Sequence, residues 1–153
     1  MRNFKTRASG WFENRSTQEF RLSMTTAFTP PGFQFVENIT DVDDSGARVI
    51  RIPAGLLRKR DLLTVLARGL NFPGHFGWNW DALEECLRDL AWIEHPRRIL
   101  LIHEGLPFQP DWDNRATYLS ILKESVAAWG PNQPHELIAI FPEHCRDEVL
   151  ANG

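Results

Sequence analysis

Residues 70–90 read LNFPGHFGWNWDALEECLRDL. Asn71-Phe72-Pro73-Gly74 stops any preceding helix, because Pro and Gly interrupt regular backbone hydrogen bonding. A loop of aromatics and glycines follows. Asn79 then has the side chain to cap a helix from about Trp80 to Leu90, with Leu83, Cys86, Leu87 and Leu90 on one face. The same helix sets Asp81, Glu85 and Asp89 at i, i+4 and i+8, one above the other. Like charges at that spacing each cost an isolated helix roughly 0.2–0.5 kcal/mol. A stripe that disfavours its own helix makes sense if something cationic docks on it. The competing reading is a solvated acidic face, which charge alone favours, since surface charges carry small energies.

The loop ahead of this helix crowds Phe72, His75, Phe76, Trp78 and Trp80 around Gly74 and Gly77. Phe72, Phe76 and Trp80 read as rings closing the core over a sheet. His75 and Trp78, flanked by glycines and polar residues, read as exposed, and exposed aromatics beside charge fit an interface with large anchors.

Upstream, Asp61–Leu70 repeats apolar residues at Leu62, Leu63, Leu66 and Leu70, the stripe of an amphipathic helix. Before it, Ala47–Ile52 is a short β-branched strand closed by Pro53. Downstream, Ile99–Ile102 and Leu137–Phe141 are continuous apolar runs, as expected of strands buried on both faces. Between them, Asp113 or Asn114 has the chemistry to cap a helix to about Trp129, and Pro142–Gly153 adds a short helical turn. The order β-α-α-β-α-β predicts an α/β fold with a small three-stranded parallel sheet packed with helices.

Residues 1–46 read as a partly ordered N-terminal arm, and 47–153 as the domain. The first 23 positions carry a local charge of +3, Pro30-Pro31-Gly32 breaks what precedes it, and Phe33–Val36 has the makings of a short strand. Met24 is an alternative start. At 153 residues with a net charge of −3, the whole has the length and balance of one soluble domain. Two cysteines, Cys86 and Cys145, make no disulfide framework and read as reduced core thiols. No apolar signal-peptide core follows the basic N-terminus, and no run approaches the roughly 20 residues of a membrane helix, so the expected compartment is the cytoplasm.

The motif of residues 70–90 resembles the barstar family, inhibitors of the ribonuclease barnase. The family's binding loop and second helix follow L-x-x-P-x-[aromatic]-[aromatic]-G-x-N-x-D-A-L-x-[acidic]-C-L. Here Leu70, Pro73, Phe76, Gly77, Asn79, Asp81, Ala82, Leu83, Glu85, Cys86 and Leu87 occupy those places. The flanking elements agree in type and order over roughly 47–142. The resemblance implies that Glu85 enters a nuclease active site in place of a substrate phosphate, with Asp81 a second anion for nuclease arginines. His75 stands where the family has a stacking tyrosine, Glu84 where it has a tryptophan, and Glu124 matches a glutamate of the last helix. Gly77, Trp78 and Asn79 complete the expected nuclease-binding set.

There are departures: Glu85 is one methylene longer than Asp, His75 and Glu84 replace aromatics, and two extra residues fall near Leu90-Ala91-Trp92. These departures fit a natural target that is a different ribonuclease from barnase. The implied partner is an extracellular-type or toxin ribonuclease with a cationic active site. No cofactor, metal, membrane or direct nucleic-acid contact is implied, and no catalytic residue.

Two other classes stay open. One is a protein-binding module that reuses the fold without inhibiting a nuclease, since fold does not fix function. The other is a small hydrolase built on His75, His95 or His103 with Asp81, Glu85 or Glu104, but no H-E-x-x-H, G-x-S-x-G or phosphate-binding loop supports it. His95 and His103 read as surface or strand-end residues.

Overall fold

The computed structural model describes residues 30–152. The basic arm's first 23 positions and Met24 lie outside them. The described chain forms β1 (Phe33–Val36), β2 (Arg48–Ile52), α1 (Lys59–Leu70), α2 (Trp80–Asp89), β3 (Arg98–His103), α3 (Trp112–Ala128), β4 (Glu136–Pro142) and α4 (Arg146–Asn152). Single 3₁₀ turns lie at Ile39–Asp41 and Glu143–Cys145.

The described strands are all parallel, in the order β1-β4-β3-β2, so the sheet of the described residues has four strands and not the expected three. The extra strand is Phe33–Val36, within the segment read as an arm. It pairs with the outer edge of β4, Phe33 opposite Ala139 and Val36 opposite Pro142. Its rings settle the register: Phe33 and Phe35 both stand within about 6 Å of Phe141, centroid to centroid (5.7 and 6.1 Å). Four residues after Pro-Pro-Gly carry too little local pattern to announce a partner strand so distant in sequence.

The two middle strands are buried on both sides because each alternates apolar residues in both directions. On one face Ile99 and Leu101 of β3 and Leu137, Ala139 and Phe141 of β4 meet the apolar sides of all four helices. Leu62, Leu66, Leu83, Leu87, Tyr118 and Leu122 are fully buried there. Truncating any one of the leucines to Ala would cost about 2–5 kcal/mol. On the other face Leu100, Ile102, Ile138 and Ile140 are covered by Val36, Ile39, Val42, Ala47 and Val49. The link from β1 to β2 therefore crosses the sheet from edge to edge and serves as its second layer.

Helix ends follow local chemistry. Asn71, in the left-handed region (φ 57°), ends α1, and the Phe72 amide donates back to the Ala67 carbonyl at 2.9 Å. The cap of α3 is Asp111, not Asp113 or Asn114. Its carboxylate accepts from the Asn114 amide at 3.1 Å and from the Asn114 side chain at 2.7 Å, which places Asn114 inside the first turn.

Candidate functional site

The helix α2 is fixed at both ends. Asn79 Oδ1 accepts from the Ala82 amide at 2.7 Å, as its cap. The Trp80 indole donates to Asn114 Oδ1 at 3.1 Å, at the start of α3, and the Trp129 indole donates to the Leu87 carbonyl at 2.8 Å. A third indole, Trp92, donates to the Leu70 carbonyl at 2.9 Å and ties the exit of α2 to the end of α1. An indole N–H enclosed by a fold requires an acceptor, so each of these rings fixes a position as well as filling space. Leu83, Cys86 and Leu87 sink the inner face into the core. The helix is thus anchored to its neighbours at both ends and along its inner face.

That outer face is acidic. Asp81, Glu84, Glu85, Arg88 and Asp89 line a shallow depression of about 470 Å³. Glu84 is paired with Arg88 at 3.1 Å. Asp81, Glu85 and Asp89 are exposed, and among the described residues none of the three is in an ion pair. The potential of this stripe reaches inward: burial first, then the Glu85 and Asp89 charges, push the Cys86 thiol up from its ordinary value. Cys86 is buried and protonated, as expected of a core thiol.

The preceding loop carries a row of rings from the interior to the surface. Trp92, Phe72, Phe76 and Trp78 follow one another at centroid separations of 6.0, 4.8 and 5.1 Å. Phe76 is buried and Phe72 and Trp80 pack against the core, as read from the sequence, while His75 and Trp78 are exposed. Trp78 has φ 56°, a left-handed conformation that a bulky residue adopts only when its surroundings hold it there. The Arg60 guanidinium lies 4.7 Å from the Trp78 ring centroid.

The expected site residues thus divide. Asp81, Glu84 and Glu85 meet at one depression, and Trp78 lines a neighbouring groove with Arg60 and Arg68. Asn79 spends its side-chain oxygen on the cap. Gly77 is exposed, and a Cβ there would stand 3.4 Å from the Asn79 amide nitrogen, an ordinary contact. His75 on the loop and Glu124 on α3 are exposed and line neither hollow. Arg88 and the α1 arginines were not singled out from sequence. The Glu84–Arg88 spacing of i, i+4 was the available signal for the first; the second needs the fold.

The histidines of the rival hydrolase reading lie on different elements. His95 is exposed on the loop after α2. His103 ends β3 but is fully buried and not at the surface: its ring contacts the Ile140 carbonyl at 3.0 Å and the Tyr118 hydroxyl at 2.7 Å, and stacks on Phe141 at 4.0 Å. Burial lowers its pKa to about 4. Among the described residues, no group of three or more His, Cys, Asp or Glu side chains is placed to hold a metal ion. No described helix is long and apolar enough to cross a membrane.

The sequence model of the family described as Barstar (barnase inhibitor) matches residues 48–142, from the first residue of β2 to the last of β4. The chain belongs to the barstar family. The match takes in the helices α1 to α3, the aromatic loop and the acidic face; β1 and α4 lie outside it. No curated protein and no solved structure gave a significant match.

Proposed function

We propose that this barstar-family protein inhibits a ribonuclease by seating the outer face of α2 in the enzyme's cationic active-site cleft. The observation that carries the proposal is the stripe of Asp81, Glu85 and Asp89, exposed and without ion pairs among the described residues, on a helix anchored at both ends. A ribonuclease cleft holds Arg and Lys for a phosphodiester, and carboxylates offer the same bidentate oxygens to guanidinium groups. Anchoring matters as much as charge, since a pre-ordered face loses little conformational entropy on binding.

In this reading Glu85 is the central phosphate mimic and Asp81 the second anion. Trp78 and His75 supply contacts at the loop end, Glu84 and Glu124 sit at the rim, and Asn79 and Gly77 hold the loop's shape. The partner is a ribonuclease of the extracellular or toxin type, met in the cytoplasm, and the protein itself catalyses no reaction. RNA is not the ligand of this face, because its phosphates would be repelled by the stripe.

The test is inhibition of RNA cleavage by a panel of barnase-like microbial ribonucleases, with wild type and Glu85→Ala titrated side by side. Stoichiometric inhibition by wild type, weakened in the variant, supports the reading and the site. Absence of inhibition across the panel by a folded sample would sink it in favour of a binding module with another partner.

A further inference from the structure

The helix α1 brings a second, oppositely charged surface to the edge of the same loop. Arg60, Thr64 and Arg68 stand at i, i+4 and i+8, so they form one stripe, as the acids of α2 do. The one acidic residue of α1, Asp61, is engaged by Arg58 at 3.0 Å. Among the described residues neither Arg60 nor Arg68 is in an ion pair, and both are exposed. The Thr64 hydroxyl donates to the Arg60 carbonyl at 2.7 Å, and among the described residues neither guanidinium group has a hydrogen-bond acceptor, while that of Arg60 lies over the Trp78 ring, 4.7 Å from its centroid. With Phe72, Phe76 and Trp78 they line a groove of about 510 Å³. Its lining thus combines aromatic rings with two cations.

We infer that this groove is a second docking site, which takes a carboxylate-bearing segment of the same protein partner whose cationic cleft receives α2. The inference rests on the proposed function. Charge complementarity chooses the occupant: two guanidinium groups without an ion pair among the described residues, beside exposed and half-buried rings, fit an acidic segment with an aromatic side chain to pack beside them. Proximity decides between protein and nucleic acid. Trp78 and Asp81 are three residues apart, so their Cα atoms are no more than about 11 Å apart. A polyanion filling the groove would run into the acidic stripe, whereas a partner with a carboxylate next to its cationic cleft satisfies both surfaces at once. The pair of stripes therefore selects for a bipolar partner, and a cationic protein without that carboxylate is disfavoured by Arg60 and Arg68.

Two experiments on the full chain separate failure of the groove from failure of the inhibitor reading. In the first, a blocked hexapeptide alternating glutamate and tyrosine is titrated while the tryptophan indole N–H signals are followed by NMR. The expected result is a saturable shift of the Trp78 signal, abolished in Arg60→Glu/Arg68→Glu, with the Trp129 signal unmoved as a report that the fold is intact. No shift, a shift that survives the double variant, or a hexauridylate binding more tightly than the peptide would overturn the groove. In the second, a ribonuclease inhibited by wild type is assayed with the double variant. Inhibition weakened about tenfold or more, as loss of charge-assisted contacts implies, supports the inference. Undiminished inhibition, with Glu85→Ala still weakened, overturns the groove and leaves the inhibitor reading standing. Peptide binding with no ribonuclease inhibited refutes the inhibitor reading and supports an acidic segment as the groove's ligand.

Discussion

Glu85 and Asp89 share a helix face and a charge, yet they sit differently. Glu85 lies between Asp81 and Asp89 in the middle of the stripe, whereas Asp89 is the last residue of α2, at the negative end of the helix dipole. Truncating Glu85 to Ala should weaken inhibition by about 2–5 kcal/mol, because a central charge pair is desolvated in the complex. Asp89→Ala should weaken it by less than about 1 kcal/mol, as an exposed rim charge does. Both variants should be as stable as wild type or slightly more so, since each removes like-charge repulsion worth roughly 0.2–0.5 kcal/mol per pair. Inhibition constants and urea midpoints of the two variants check this; equal losses of inhibition would move the centre of the site. The buried His103 links stability to pH. With its folded pKa lowered to about 4 by burial, the unfolded chain binds a proton that the folded one refuses. Stability is therefore full above the unfolded value of about 6.5 and falls as the pH drops toward 4, by up to about 3 kcal/mol. Urea midpoints from pH 7 to 4.5 should show that slope, and His103→Gln should flatten it even though it lowers stability at pH 7.

At the scale of elements, α1 sits close to β2 because position 69 lacks a side chain. A Cβ on Gly69 would come 2.7 Å from Ile50 Cγ1 and 2.9 Å from Cγ2, closer than real carbon contacts. Alanine at 69 gains roughly 0.5–1 kcal/mol of helix propensity but forces the helix off the sheet, at a cost of about 1–3 kcal/mol. Gly69→Ala should therefore be destabilising despite the better helix former. In a double-mutant cycle with Ile50→Ala the two losses should be sub-additive, since removing the isoleucine methyls makes room. Additive losses would place the strain elsewhere. The tryptophans act at this scale too. Trp80 and Trp129 fasten α2 to α3 through single indole bonds near either end, so the acidic face inherits its orientation from the core.

For the whole molecule, a net charge of −3 understates the electrostatics. An acidic stripe on α2 and a basic one on α1 flank a single loop, and their sum nearly hides both. Steering depends on local fields, so association with a cationic nuclease should slow steeply as salt rises, by about tenfold or more between low and high ionic strength. Dissociation should change much less. Stopped-flow rates across a salt series test this, and an association rate that ignores salt would remove steering from the mechanism.

The chain's own pattern is enough to read the elements whose signal is local: the Asn79 cap, the acidic i, i+4, i+8 stripe, the leucine faces of α1 and α2, and the apolar runs of β3 and β4. It also carried the family motif in residues 70–90. Because strand pairing is a contact between segments far apart in sequence, the packed fold alone shows that Phe33–Val36 adds a strand beside β4 and that the following link covers the second face. It likewise decided that Arg60 lies over Trp78, and so that the loop has a cationic side as well as an acidic one. Helical periodicity fixes which face of its own helix a residue occupies. Which neighbour that face meets depends on how the helices pack on the sheet, and that information is spread over the whole core.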